Sequence, residues 1–236
     1  MKTVIIHGQS HKGSTYHIAH EIADKTGGET SEFFLPRDFG AFCLGCNQCF
    51  RKGESFCSHR QQLEPIFQAM MDADVIILAS PVYVYHATGA MKAFLDHLGW
   101  LWMAHRPDVR MFSKQGVCVS TAAGSGTKST NKDMADSLFF WGVPKIYKCG
   151  VNVAAVSWDA VNEKKKACIS ACTSKIAEKI KKNHGKVKPG IKTKGFFAIM
   201  RKLNLGGSWN EIDTAYWKER GWLGKNRPWK NLSEKN

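Results

Sequence analysis

The chain of 236 residues has no long apolar run. Its uninterrupted apolar stretches are of the length of Val75–Ala79, far short of the roughly 20 residues a helix needs to cross a bilayer, so no membrane span is expected. No leader pattern opens it. MKTVIIHGQS passes from an apolar, β-branched run straight into a polar loop, and a cytoplasmic location is the resulting expectation. Acid is scarce: 20 Asp and Glu stand against 34 Lys and Arg, a formal charge of +14. Such an excess bears on solubility and on anionic partners rather than on fold. There is no aromatic-and-basic RNP1 signature, so nucleic acid is not expected as a partner. Neither a Walker A loop nor a G-x-G-x-x-G fingerprint occurs, and there is no internal repeat. Against these absences stands an apolar fraction of 43%, enough for a chain of this length to bury a substantial core.

What is present is an alternation. Lys2–His7, Glu32–Leu35, Val75–Ala79, Gly116–Ser120 and Lys145–Val151 read as strands. Tyr16–Lys25, Gln62–Ala73, Ala90–Trp102, Asn131–Phe140 and Asn162–Asn183 have helical spacing. Strands alternating with helices predict an α/β fold, a three-layer sandwich with a five-stranded parallel sheet covered on both faces, in flavodoxin-like order. In such sheets ligands bind beyond the carboxyl ends of the strands. Residues 1–184 are expected to form this domain. Residues 185–236 differ: GKVKPGIKTKG reads as a glycine- and lysine-rich linker, GFFAIMRKLNL as a short amphipathic pattern, and Trp209, Trp217, Trp222 and Trp229 come after it. Dipping of Lys192–Lys202 into an anionic surface and packing on a partner subunit are both compatible with that pattern. The tryptophans are expected to anchor this extension on the domain or on a partner subunit.

Three strand-terminal loops carry the ligand signals. Gly8–Thr15 (GQSHKGST) lies between a strand and a helix. A helix N-terminus offers unpaired N–H groups and a partial positive charge, to which Ser10, Ser14 and Thr15 add hydroxyls and Lys12 a charge, making a phosphate cradle. An ordinary helix cap is the plainer reading of that loop taken alone. Ser80–His86 (SPVYVYH) succeeds the third strand, with Tyr83 and Tyr85 as aromatic surface. Thr121–Gly126 (TAAGSG) succeeds the fourth, its small residues permitting close backbone approach. His7 is expected to be packed and His86 to face solvent.

With these loops, together with Gly89–Asp96, the chain resembles the NADPH-dependent FMN reductase family of flavodoxin-like proteins over roughly residues 1–180. The resemblance implies noncovalent FMN, its phosphate held by Ser10, Lys12, Ser14 and Thr15. Its ring would be held by Pro81, Val82, Tyr83 and Val84 with Thr121, Ala122 and Gly124. Lys12 stands where the family usually has arginine, a point charge in place of a bidentate fork. The resemblance also implies a homodimer or higher homo-oligomer.

Cys43, Cys46, Cys49 and Cys57 form C-x2-C-x2-C-x7-C. Clustered thiols in a reduced compartment read as metal ligands or redox groups rather than disulfides. The run resembles the compact motif of the iron–sulfur flavoproteins, a branch of the same family, and so implies a 4Fe-4S cluster. Zinc and free thiols are the alternatives, and the Cys-Pro ending of ferredoxin runs is missing. Cys118 is expected to be core packing. The expected function is that of an FMN-dependent oxidoreductase moving electrons between NAD(P)H or ferredoxin and a small-molecule or protein acceptor. Its alternatives are a cluster-free reductase of quinones, nitro compounds or flavin, and a non-catalytic carrier or sensor. Hydride transfer to a flavin requires no side-chain acid or base, so no catalytic side chain is nominated.

Overall fold

The computed structural model of the chain describes residues 1–206 and 210–230. Five strands, β1 (Lys2–His7), β2 (Glu29–Phe34), β3 (Val75–Ala79), β4 (Gln115–Ala122) and β5 (Lys145–Asn152), form one sheet in the order β2-β1-β3-β4-β5 with every pair parallel. The helices among the described residues are α1 (Ser14–Thr26), α2 (Gln48–Arg51), α3 (Arg60–Asp72), α4 (Gly89–His97), α5 (Thr127–Phe140), α6 (Glu163–Asn183), α7 (Ile191–Leu205) and α8 (Glu211–Glu219).

Side-chain alternation along the strands divides the core in two. Val4, Ile6, Ile76, Leu78 and Cys118 face one layer, which α3, α4 and α5 cover with Ile66, Phe94 and Leu138. Ile5, Val75, Ile77, Val117 and Val119 face the other, covered by α1 and α6 through Ile18, Ile22, Ile176 and Ile180. The central strands are buried on both faces, which is why they read as continuous β-branched runs. The switch in strand order falls between β1 and β3, and a crevice opens at their carboxyl ends.

The extension differs from its expected form. The glycine- and lysine-rich stretch is not all linker, because α7 begins at Ile191 within it. Phe197, Trp217 and Trp222 bury themselves with Met103 and Phe112 in a third apolar cluster, against which Trp229 packs. Trp209 lies outside the described residues. The loop of residues 40–60 contains the single turn α2 and a 3-10 turn at Glu54–Phe56. The helix expected over Ala90–Trp102 ends at His97 and continues as a 3-10 turn, Gly99–Leu101.

Candidate functional site

At the carboxyl end of the sheet the three loops meet around one open cavity of about 200 Å³. Backbone bonds draw them together: Gly8 N–H donates to Ala79 O at 2.7 Å, Ser80 N–H to Val119 O at 3.0 Å, and Val82 N–H to Thr121 O at 2.9 Å. Gly8 is fixed by contact, since a Cβ there would lie 2.9 Å from Thr88 Oγ1 and 3.0 Å from Ser80 Oγ. Thr88 caps α4 by accepting from Met91 N–H at 3.1 Å while its own hydroxyl donates to Gly8 O at 2.5 Å. One side chain thus starts a helix and pins the first loop.

Ser14, Thr15, Pro81, Val82, Tyr83, Thr121 and Ala122 line the cavity, together with Gln9, His11 and Val153. The Thr15 and Thr121 hydroxyls share a hydrogen bond of 2.6 Å, joining the first loop to the third. Tyr83 OH donates to Gln9 Oε1 at 3.2 Å. Helix α1 has Gly13 as its N-cap with no side-chain cap, and Gly13, Ser14 and Thr15 line the cavity, which brings to its wall the end of the helix where the first N–H groups have no partner within the helix. Ser10 and Lys12 point elsewhere. Ser10 Oγ donates to Leu35 O at 3.4 Å, and Lys12 Nζ lies 5.1 Å from the Tyr16 ring centroid and 5.8 Å from that of Phe34. Val84 is 92% exposed at the tip of its loop. Gly124 is not on the cavity wall either; its carbonyl accepts from Asn152 Nδ2.

The tip is strained. Tyr83 and His86 exchange backbone hydrogen bonds of 3.0 and 3.1 Å, closing a two-residue turn on Val84 (φ 48) and Tyr85 (φ 67). Two positive φ values in succession suit glycine and asparagine, and a β-branched valine there is held against its own preference. Ser129 Oγ donates to Tyr85 O, and His86 pairs with Asp133. Gly126, at φ 98, backs the turn; a Cβ there would meet Val82 Cγ1 at 2.6 Å.

The four cysteines of the 43–57 loop line one small cavity with His59, Asp96 and His97. Burial pushes the Cys49 thiol above its ordinary value, and its neighbours Cys57, Cys43 and Cys46 push it the same way, with Arg106 opposing. His97 is buried, and burial lowers its pKa. Its Nδ1–H donates to Ala93 O at 2.7 Å, so its Nε2 accepts from His59 Nδ1–H at 2.9 Å. Cys118 is buried in the core; Cys149 Sγ lies 3.5 Å from Cys172 Sγ.

The extension reaches this loop through residues that the sequence pattern did not single out. Arg106, buried, pairs with the fully buried Asp213 of α8, donates to Cys49 O, and touches Glu54 Oε2 at 3.4 Å. His105 Nδ1–H donates to Asp213 Oδ2 at 2.7 Å and the His105 ring packs on Phe50, centroids 4.6 Å apart. Asn210 Nδ2 donates to Phe50 O at 2.9 Å.

The site is thus an open crevice at a topological switch point, where open α/β sheets bind their ligands. The family model of NADPH-dependent FMN reductases matches residues 1–156. An iron-sulfur flavoprotein of Archaeoglobus fulgidus is 30% identical over 184 residues, 77% of this chain and 80% of that one. An iron-sulfur flavoprotein of Methanosarcina thermophila is 28% identical over 149 residues, 61% of this chain and 75% of its own length. Among solved structures, a flavone reductase superposes with a TM-score of 0.59 at 18% identity, covering 80% of this chain and 66% of that one. An FMN-dependent NADH-azoreductase of Bacillus anthracis, in complex with FMN, superposes at 0.55 with 12% identity, covering 75% of this chain and all of that one; these two likenesses speak to the fold. The chain belongs to the NADPH-dependent FMN reductase family and is an FMN-dependent oxidoreductase.

Proposed function

We propose that this oxidoreductase passes electrons between NAD(P)H or a ferredoxin and an acceptor by way of FMN and a 4Fe-4S cluster on the Cys43–Cys57 loop. The observation that carries the reading is that all four thiols line one cavity although two of them, Cys43 and Cys46, are otherwise exposed. Burial, and after it the neighbouring thiols, raises the Cys49 pKa, and a metal centre that replaces the thiol protons relieves their mutual repulsion. The relatives named iron-sulfur flavoproteins support the same branch.

For FMN, the uncapped start of α1 with Ser14 and Thr15 fits a phosphate. Pro81, Val82 and Tyr83 with Thr121 and Ala122 fit the ring through backbone groups and apolar faces. Ser10, Lys12, Val84 and Gly124 belong to the proposed set as loop members within reach of a bound group: Lys12 would leave Tyr16 and Phe34 to meet the phosphate charge. Flavin, once bound, supplies two-electron and one-electron chemistry, and this chain's part is to orient it and exclude water. The strained Val84–Tyr85 turn stands at the crevice mouth and carries Tyr83, which lines the crevice wall. The +14 charge favours acidic electron carriers electrostatically. A homodimer is proposed on the exposure of Tyr83, Val84 and Tyr85 at the crevice mouth.

One observation favours a second reading of the loop, a zinc site: Cys57, His59 and His97 place ligand atoms within 4.8 Å of one another, a sulfur-and-nitrogen set that suits zinc. The test is Cys46→Ser made and purified without oxygen beside the parent. The cluster reading expects iron and acid-labile sulfide to fall sharply while FMN content stays. Zinc and no sulfide in the parent protein would replace it with the second reading.

A further inference from the structure

Away from the cysteines, three metal-ligating side chains converge on the other flank of the phosphate loop. His7 is the last residue of β1, Glu32 lies in the neighbouring edge strand β2, and His20 projects from α1. Glu32 Oε2 lies 3.1 Å from His7 Nε2 and 2.8 Å from His20 Nε2, and the three atoms fall within 4.8 Å of one another. The His7 side chain is 4% exposed, His20 25% and Glu32 31%, so a buried ligand sits beneath two that solvent reaches. The rings are held in place: His7 stacks on Phe34 with centroids 4.5 Å apart, and His20 packs on Tyr16 at 4.2 Å.

We propose that His7 Nε2, His20 Nε2 and a carboxylate oxygen of Glu32 form a binding site for a zinc-class dication, with the fourth position open to water. Bonds of about 2.0–2.1 Å to nitrogen and oxygen set tetrahedral ligand atoms roughly 3.3 Å apart, close to the two separations from Glu32, 3.1 and 2.8 Å, with the two ring nitrogens within 4.8 Å of each other. The ligands come from three rigid elements, which favours a defined geometry. Two of the three ligands are already in a suitable protonation state. Burial holds His7 down to about 4, so its ring is neutral at pH 7. Half-burial favours the protonated form of Glu32, but the hydrogen bonds from His20 and His7 outweigh it and keep the carboxylate below its ordinary value.

In the metal-free protein both Nε2 atoms carry the proton they donate to Glu32. Metal binding moves each proton to Nδ1 of the same ring through solvent exchange, freeing the Nε2 lone pairs. With both rings neutral, binding a dication changes the site from one negative charge to one positive. Because His7 directly precedes Gly8, and α1 starts at the other end of the same loop, an occupied site ties together the two elements that flank the phosphate cradle. A ligand bound only by the folded chain raises its stability.

The test compares the parent holoenzyme with His20→Ala and Glu32→Gln, each equilibrated with micromolar zinc chloride and freed of excess by gel filtration. Glu32→Gln keeps an oxygen that can accept from both rings, so the fold is retained. Metal analysis should find about one more zinc per chain in the parent than in either variant, with a nitrogen-and-oxygen shell by X-ray absorption. Zinc should raise the parent's unfolding temperature and leave both variants unchanged. Zinc taken up by the cysteine loop shows sulfur in its shell, so failure of the cluster reading is seen separately. Equal zinc content in all three proteins, or a shell made only of sulfur-containing sites, overturns the proposal.

Discussion

Replacing Arg106 by methionine removes a guanidinium that answers three groups at once: the carboxylate of Asp213, the carbonyl of Cys49 and the edge of Glu54. Asp213 is fully buried, and after the substitution it retains His105 and the Asn210 cap interactions of α8. Breaking one member out of a buried pair costs about 3–5 kcal/mol, because the remaining charge stays desolvated. That is a large share of the roughly 5–15 kcal/mol that holds a domain folded. With a denaturant slope near 3 kcal/mol per molar urea, the midpoint should fall by about 1–2 M. Hydrogen exchange should quicken at residues 47–52 and in α8 ahead of the central sheet, since the Cys49 carbonyl has lost its donor. Removing both charges, as Arg106→Met with Asp213→Leu, should recover part of the loss, because no carboxylate is left buried without its guanidinium although His105 Nδ1–H loses Asp213 as its acceptor. A single variant within about 0.3 M of the parent, or a double variant no better than the single, would refute the claim that this pair ties the extension to the cysteine loop.

Three further outcomes are expected. Val84→Asn with Tyr85→Gly gives the Tyr83–His86 turn residues that accept positive φ, so stability should rise by about 1–2 kcal/mol with weaker FMN binding; unchanged stability would show the turn to be unstrained. Thr88→Val loses both the α4 cap and the bond to Gly8 O, and should cost about 1–2 kcal/mol and slow FMN rebinding, whereas Thr88→Ser should recover both. The third concerns acid. Burial lowers His7 from 6.5 to about 4, so between those values the unfolded chain binds the proton that the native chain refuses. Stability is therefore complete above pH 6.5 and declines as pH falls toward 4, by about 3 kcal/mol; urea midpoints of the parent and His7→Gln across that window should diverge, and parallel curves would remove His7 as the cause.

The sheet was legible because its central strands are buried on both faces, which leaves the continuous runs of Lys2–His7 and Val75–Ala79. The three ligand loops were legible for the same reason: each apolar strand gives way abruptly to small and polar residues, at Gly8, at Ser80-Pro81 and before Gly124, and the break marks the loop. Side-chain direction was not legible. Ser10 and Lys12 sit in the loop expected to form the phosphate cradle, yet they turn to Leu35 O and to the rings of Tyr16 and Phe34, and Phe34 and Leu35 are brought near by the pairing of β1 with β2. Helix α7 was obscured by Gly190, which becomes its N-cap, and by Gly195 inside it, whose low helix propensity is overridden by the burial of Phe197 against Phe112 and Trp217. The spacing of the four cysteines could be read directly. The pairing of Arg106 with Asp213 spans 107 positions, and no local pattern records a contact at that distance. His59, two residues beyond Cys57, was the one neighbour of the thiol cavity whose position carried a usable hint.

The central claim is that one chain holds a flavin in the crevice and an iron–sulfur centre on the cysteine loop. Its most direct test is the flavin, iron and acid-labile sulfide content of the full chain purified without oxygen. About one FMN with about four irons and four sulfides per chain is the predicted result; a colourless protein that takes up no added FMN would contradict it.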